Sequence, residues 1–114
     1  FSTPGGDVAG TRQSPAVDVA HLARQTMGDR AVEQEVLALV AQQALSVRDK
    51  IVDANLKDRL LLAHGLKGSA RGVGAFAIAD CATEIERRPE DSQTLKRLGT
   101  LIDEVRDFIA AINR

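Results

Sequence analysis

Eight consecutive residues in the middle of the chain, Ala63-His64-Gly65-Leu66-Lys67-Gly68-Ser69-Ala70, hold the side chains best suited to chemistry. On a helical wheel at about 100° per residue, Leu62, Leu66, Ala70 and Val73 cluster on one side as a core stripe. His64 points almost opposite to Leu66, in company with Lys67, Gly68 and Arg71 at offsets of three, four and seven. A core histidine would follow the leucines, so the spacing predicts a solvent-facing imidazole. Neutral imidazole, with a reference pKa of about 6.5, is mostly available for nucleophilic attack near pH 7. A phosphoryl group on it would bring roughly two negative charges, and Lys67, one turn on, is placed to offset part of them. Gly68, also one turn on, removes a side chain beside the imidazole and leaves room for another protein's backbone. Two glycines inside one helix each cost about 1 kcal/mol relative to Ala, so something other than helix stability favours them. Leu60 and Leu61 fall on the same outward side one turn earlier, and exposed leucines beside a reactive residue read as a docking patch.

Blander readings compete for each of these residues. A histidine taken alone is a solvated surface residue, and Lys67 and Arg71 taken alone are an ordinary solvated face. Gly72-Val73-Gly74 is not followed by the Lys-Ser/Thr that a phosphate-cradling P-loop requires, and it reads as a helix stop. His21 has no evident partner and is expected on the surface of a short first helix. Cys81 falls on an apolar stripe and reads as a small buried group rather than a metal ligand, so no metal and no cofactor are expected.

The elements that must position His64 are helical throughout. Residues 1–15 are rich in Gly, Ser, Thr and Pro without apolar period and read as a flexible leader or linker remnant, leaving 16–114 as the folded domain. A short helix is expected from about Val19 to Thr26, with Asp18 as N-cap, Val17 and Leu22 as a hydrophobic staple and Gly28 as the stop. Asp29 caps a long second helix with Val32, Val36, Leu39, Val40, Val47 and Ile51 as its stripe. The third helix starts after Asp53 or Asn55 and reaches about Arg71. The fourth runs from Ala75 to Arg87 with Ile78, Cys81, Ala82 and Ile85 on one side, and stops before Pro89. The last opens near Asp91 or Ser92 on a near-heptad seam of Leu95, Leu98, Ile102, Val105, Ile109 and Ile112. Short loops make sequential helices antiparallel, giving an all-α fold: a four-helix up-and-down bundle with a short additional N-terminal helix.

His64-Gly65-Leu66-Lys67-Gly68, with Gly74 ten residues after the histidine, Ile78 fourteen after, and the apolar-acidic pair Ile85-Glu86 late in the next helix, resembles the signature of bacterial histidine-containing phosphotransfer (HPt) domains. The resemblance spans about Val17 to Ile112. It implies phosphorylation of His64 on Nε2, with Lys67 and Gly68 in support. It also implies exchange with the aspartate of a response-regulator receiver domain or with a hybrid histidine kinase, the receiver bringing Mg²⁺ and an acidic pocket. Gly65 stands where the family more often has a larger residue.

A dimerising histidine-kinase helix pair also presents an exposed histidine, usually with an acidic residue directly after it and a proline soon after. Here Gly65 follows, and no proline comes before Pro89. Self-phosphorylation from ATP is not expected, so the chain is read as a carrier rather than an enzyme. The alternative is a helical docking or adaptor module that binds a receiver or kinase without accepting phosphate. Fifteen basic and 16 acidic side chains leave a net charge of −1, with no single-sign field pointing to nucleic acid or an anionic membrane. One cysteine cannot form an internal disulfide, which fits a reducing, cytoplasmic setting, and a monomer is expected.

Overall fold

A computed structural model describes residues 15–112; the expected leader, apart from Pro15, lies outside them. Five helices follow in order: α1 (Val19–Gln25), α2 (Arg30–Ile51), α3 (Leu56–Val73), α4 (Phe76–Arg87) and α5 (Ser92–Ile112). Each begins where the chain supplies an acceptor for otherwise unpaired backbone N–H groups, except α4. Asp18 accepts from the N–H of His21 at 3.0 Å, and Asp29 from that of Val32 at 3.1 Å. Asn55 rather than Asp53 caps α3, accepting from the N–H of Asp58 at 2.8 Å. Asp91 accepts from the N–H groups of Gln93 and Thr94. α4 has no side-chain cap, because it starts directly out of the turn that ends α3.

α3 runs two residues past Arg71, and that turn falls at Gly74, within the Gly72-Val73-Gly74 expected as the stop. Gly74 has φ +84°, its N–H donates to the carbonyl of Arg71, and the N–H of Ala75 donates to that of Ala70 at 2.8 Å. This paired arrangement closes the last orphan carbonyls with a left-handed residue. Gly74 also receives α1: its carbonyl accepts from the N–H of Asp18 at 2.9 Å, and Val17 and Leu22 are both buried, as a staple requires.

α2 packs on α3, α3 on α4, α4 on α5, and α5 returns to α2, closing a four-helix bundle; α1 lies on α3. The core is built from Leu37, Ala44, Val47 and Ile51 of α2, Leu66 and Val73 of α3, Ile78 and Ile85 of α4, and Leu98, Ile102 and Val105 of α5. Small buried residues, Ala63 and Ala70 on α3 and Ala79 and Ala82 on α4, suit a close approach of these two helices, and theirs is the most extensive pairing. Arg59 fixes the start of α3, donating to the carbonyls of Ile51 and Val52 at the end of α2 and of Pro89 in the α4–α5 loop.

The expected stripe of α2 is corrected in part. Val32 and Leu39 are exposed, while Leu37 and Ala44 are buried in their place. At about 100° per residue Leu39 lies roughly 120–140° round the helix from Ile51 and Ala44, too far to share their side. On α5 the seam is buried from Leu95 to Val105 and continues with the half-buried Ile109, while Ile112 is exposed. Among the described residues there is no strand, and no helix is long and apolar enough to cross a membrane.

Candidate functional site

His64 lies mid-way along α3 on the side opposite the core, and 71% of its side chain is exposed. Its Nδ1 is 3.1 Å from Oε2 of Glu86, late in α4. The other carboxylate oxygen, Oε1, accepts from Nζ of Lys67 at 2.5 Å. One carboxylate therefore bridges two side chains that the helix places one turn apart. The α4 core stripe explains its position: Ile78, Ala82 and Ile85 face inward, and Glu86, next to Ile85, comes out at the edge that meets α3.

The hydrogen bond from Lys67 holds the Glu86 carboxyl below the usual carboxylate range, with the bond from His64 adding to it against the cost of burial. The group is ionised at neutral pH. Because its value is lowered, its contribution to stability is present above the ordinary glutamate range and is lost only as pH falls through the depressed value. An ionised carboxylate only accepts, so the His64 nitrogen facing it carries the proton. Nδ1–H donates to Glu86, and in the neutral imidazole the lone pair is then on Nε2.

The remaining predicted residues are disposed around this triad as follows. Leu61 is exposed and Leu60 is half-buried, less outward than the wheel predicts, and both line an open recess with Leu56, Lys57, His64 and Glu86. Gly68 is exposed, and a Cβ there would meet nothing within 4 Å. Arg71 is exposed, one turn beyond Lys67. Lys67, expected one turn from His64 on the solvent side, is half-buried and engaged by Glu86. Glu86 is the residue that single-helix reasoning passes over; the Ile85-Glu86 pair is the signal that points to it.

Two other groups are distinct from the site. Cys81 is fully buried with Sγ 3.4 Å from the carbonyl of Thr94, and burial pushes its thiol pKa up, against a nucleophilic role. His21 does not lie free on the surface of α1. It is half-buried with its ring edge-on to Phe76 at 5.1 Å, because α4 starts beside α1, and its Nε2 has no hydrogen-bond partner. No grouping of three His, Cys, Asp or Glu among the described residues could hold a metal ion.

The family model for the Hpt domain matches residues 32–112. The chain belongs to the Hpt domain family. No curated protein and no solved structure is significantly similar to it. The match begins inside α2 and takes in all of α3, α4 and α5, hence His64, Lys67 and Glu86, while α1 lies before it. Hpt domains carry phosphoryl groups on histidine in phosphorelays, dealing with receiver domains and kinases, and are carriers rather than enzymes.

For this Hpt domain the open space at Gly68 yields a test that runs against helix propensity. Gly68→Gln is expected to raise the melting temperature, since Gly is worse than Gln by several tenths of a kcal/mol in a helix interior. It also puts a long side chain beside His64, so transfer from a receiver should slow and receiver binding should weaken. A misplacement of about 1 Å can cost a hundredfold in rate. Melting curves and transfer kinetics on the same variant decide it: unchanged transfer in a stabilised protein means that nothing docks over Gly68.

Proposed function

We propose that this Hpt domain is the phosphoryl carrier of a bacterial, cytoplasmic two-component phosphorelay, accepting on Nε2 of His64 from a receiver-domain aspartyl phosphate and donating it by the reverse step. The bridge from Glu86 to both His64 and Lys67 is the observation that carries this reading. With Nδ1–H held by Glu86, the exposed Nε2 lone pair attacks phosphorus. The N–P bond forms as the bond from phosphorus to the aspartyl oxygen breaks, and the aspartate leaves as carboxylate. The imidazole becomes cationic in this step, and the Glu86 carboxylate stabilises the Nδ1–H that carries the charge. On the return step the same proton makes the imidazole a good leaving group. Lys67, one turn from His64 and tied to the same carboxylate, offsets part of the charge developing on the phosphoryl oxygens, and Leu60, Leu61, Gly68 and Arg71 supply the surface on which a receiver sits.

Mg²⁺ belongs to the receiver, and no ATP enters the scheme, so autokinase activity is not part of it. A docking-only adaptor would need Leu60 and Leu61 but would leave the Glu86–His64 pair without a use.

The test is incubation with phosphorylated receiver domains of the same organism, followed by the chemical stability of any label acquired. Phosphate that is acid-labile and base-stable on His64 is the expected result; its absence with every receiver would overturn the reading. Glu86→Gln should retain the fold and slow transfer roughly 10- to 100-fold, the scale of losing a carboxylate that orients a histidine. The imidazole nitrogen chemical shifts should report loss of the Nδ1–H preference. Transfer at the wild-type rate would leave Glu86 as a surface ion-pair partner only.

A further inference from the structure

α3 aligns a further cation with His64. Lys57 comes seven residues before the histidine and Arg71 seven after it, so the three lie along one side of the helix. Lys57 is exposed and lines the same recess as His64, Glu86 and the leucines, two of which, Leu56 and Leu61, are 54% and 61% exposed. Among the described residues neither Lys57 nor Arg71 has a carboxylate within 4.0 Å, whereas Lys67 between them is taken up by Glu86.

Helix electrostatics argues against a lysine at position 57. It is the second residue of α3, in the first turn, where unpaired N–H groups make the positive end of the helix and an acidic side chain is the stabilising choice. Helix stability therefore does not account for it. Lys57 and Arg71 are about 20 Å apart along the axis, the span of a protein surface and too far for one small anion to touch both. Apolar side chains fill the interval around Lys57, which suits a folded partner with a mixed apolar and acidic rim.

We propose that Lys57, together with Leu56, is the outer anchor of the receiver-docking face: its ammonium pairs with a carboxylate on the rim of the receiver's acidic pocket, while Leu56 and Leu61 cover apolar surface beside it. This rests on the reading of His64 as partner to a receiver. Lys57 acts on association and receiver choice and has no part in the chemical step.

The experiment compares wild type, Lys57→Glu and Lys57→Arg for binding and phosphotransfer with the receiver domain that transfers fastest to the wild type, or binds it most tightly if none transfers. Lys57→Glu should bind about tenfold more weakly at low ionic strength, a gap that closes to within about threefold near 0.5 M salt. The half-saturating concentration for transfer should rise with the rate at saturation unchanged, and Lys57→Arg should restore binding. The melting temperature of Lys57→Glu should stay equal or rise, because an acid now occupies the first turn. Equal binding by Lys57→Glu and wild type at low salt would overturn the anchor and leave the relay intact. Binding that depends on Lys57 without phosphate on His64 would overturn the relay and support the anchor. No receiver binding by the wild type would overturn both.

Discussion

His64→Gln should abolish phosphate incorporation and leave the bundle as stable as before. The side chain is mostly exposed and contributes nothing to the core, so stability should change by no more than about 0.5 kcal/mol, as at ordinary surface sites. Glutamine can still donate an amide N–H to Glu86, so the bridge to Lys67 need not rearrange. It lacks a nucleophilic nitrogen, and nothing replaces it. Label counted after exposure to a phosphorylated receiver, beside a melting curve, separates the two effects. The chain has one other histidine, His21, half-buried against Phe76 and remote in sequence from the Lys67–Glu86 pair. Label retained by the variant would move the acceptor there and end the case for His64.

Gly74→Ala is expected to disturb stability more than a methyl added at any glycine within α3. A Cβ at Gly74 would stand 2.8 Å from the carbonyl oxygen of Asp18, closer than real Cβ contacts come, and 3.1 Å from its backbone nitrogen, tighter than most of them. The left-handed φ of +84° adds a cost of about 1–2 kcal/mol for any side chain. Displacing Asp18 would also weaken its hydrogen bond to Gly74 and loosen the buried Val17. Together these should destabilise the fold by about 2–4 kcal/mol, roughly 10–20 °C in melting temperature for a domain of this size. Gly72, two residues earlier, supplies the contrast. It is helical and open, with nothing within 4 Å of a Cβ, so Gly72→Ala should stabilise by up to about 1 kcal/mol. Equal melting temperatures for the two variants would show that the α1 attachment does not depend on Gly74.

Much of the bundle is readable along the chain because local signals and packing agree. Asp18 and Asp29 act as caps where a short acceptor precedes an apolar period, and Ile78, Cys81, Ala82 and Ile85 are buried because α4 has its apolar residues on one side. α2 is harder. Its apolar residues spread round the helix, and the stripe is decided by Ala44 and Leu37, which periodicity alone ranks no higher than Leu39. The outward placement of His64 follows from its angle to Leu66 within one helix. Its partner does not. That Glu86 reaches both His64 and Lys67 depends on the relative rotation and height of α3 and α4, which tertiary packing sets. His21 is misjudged for the same reason, since Phe76 reaches it only through the way α4 starts beside α1.

His64 and Glu86 sit on the two arms of one helical hairpin, 22 residues apart, with only Gly74 and Ala75 between the arms. Helix phase is therefore carried from one to the other without slack. One residue inserted between Val73 and Phe76 would turn α4 by about 100° if its core stripe did not follow, or would lift Glu86 by about 1.5 Å if it did. The linkers before α2, before α3 and before α5 join no two members of the triad and are free to lengthen. Spacing thus becomes a recognition rule in its own right: in a related sequence, an acidic residue 22 positions after the histidine across an equally short turn is expected to reach the imidazole as Glu86 reaches His64, and a shifted count is expected to miss it.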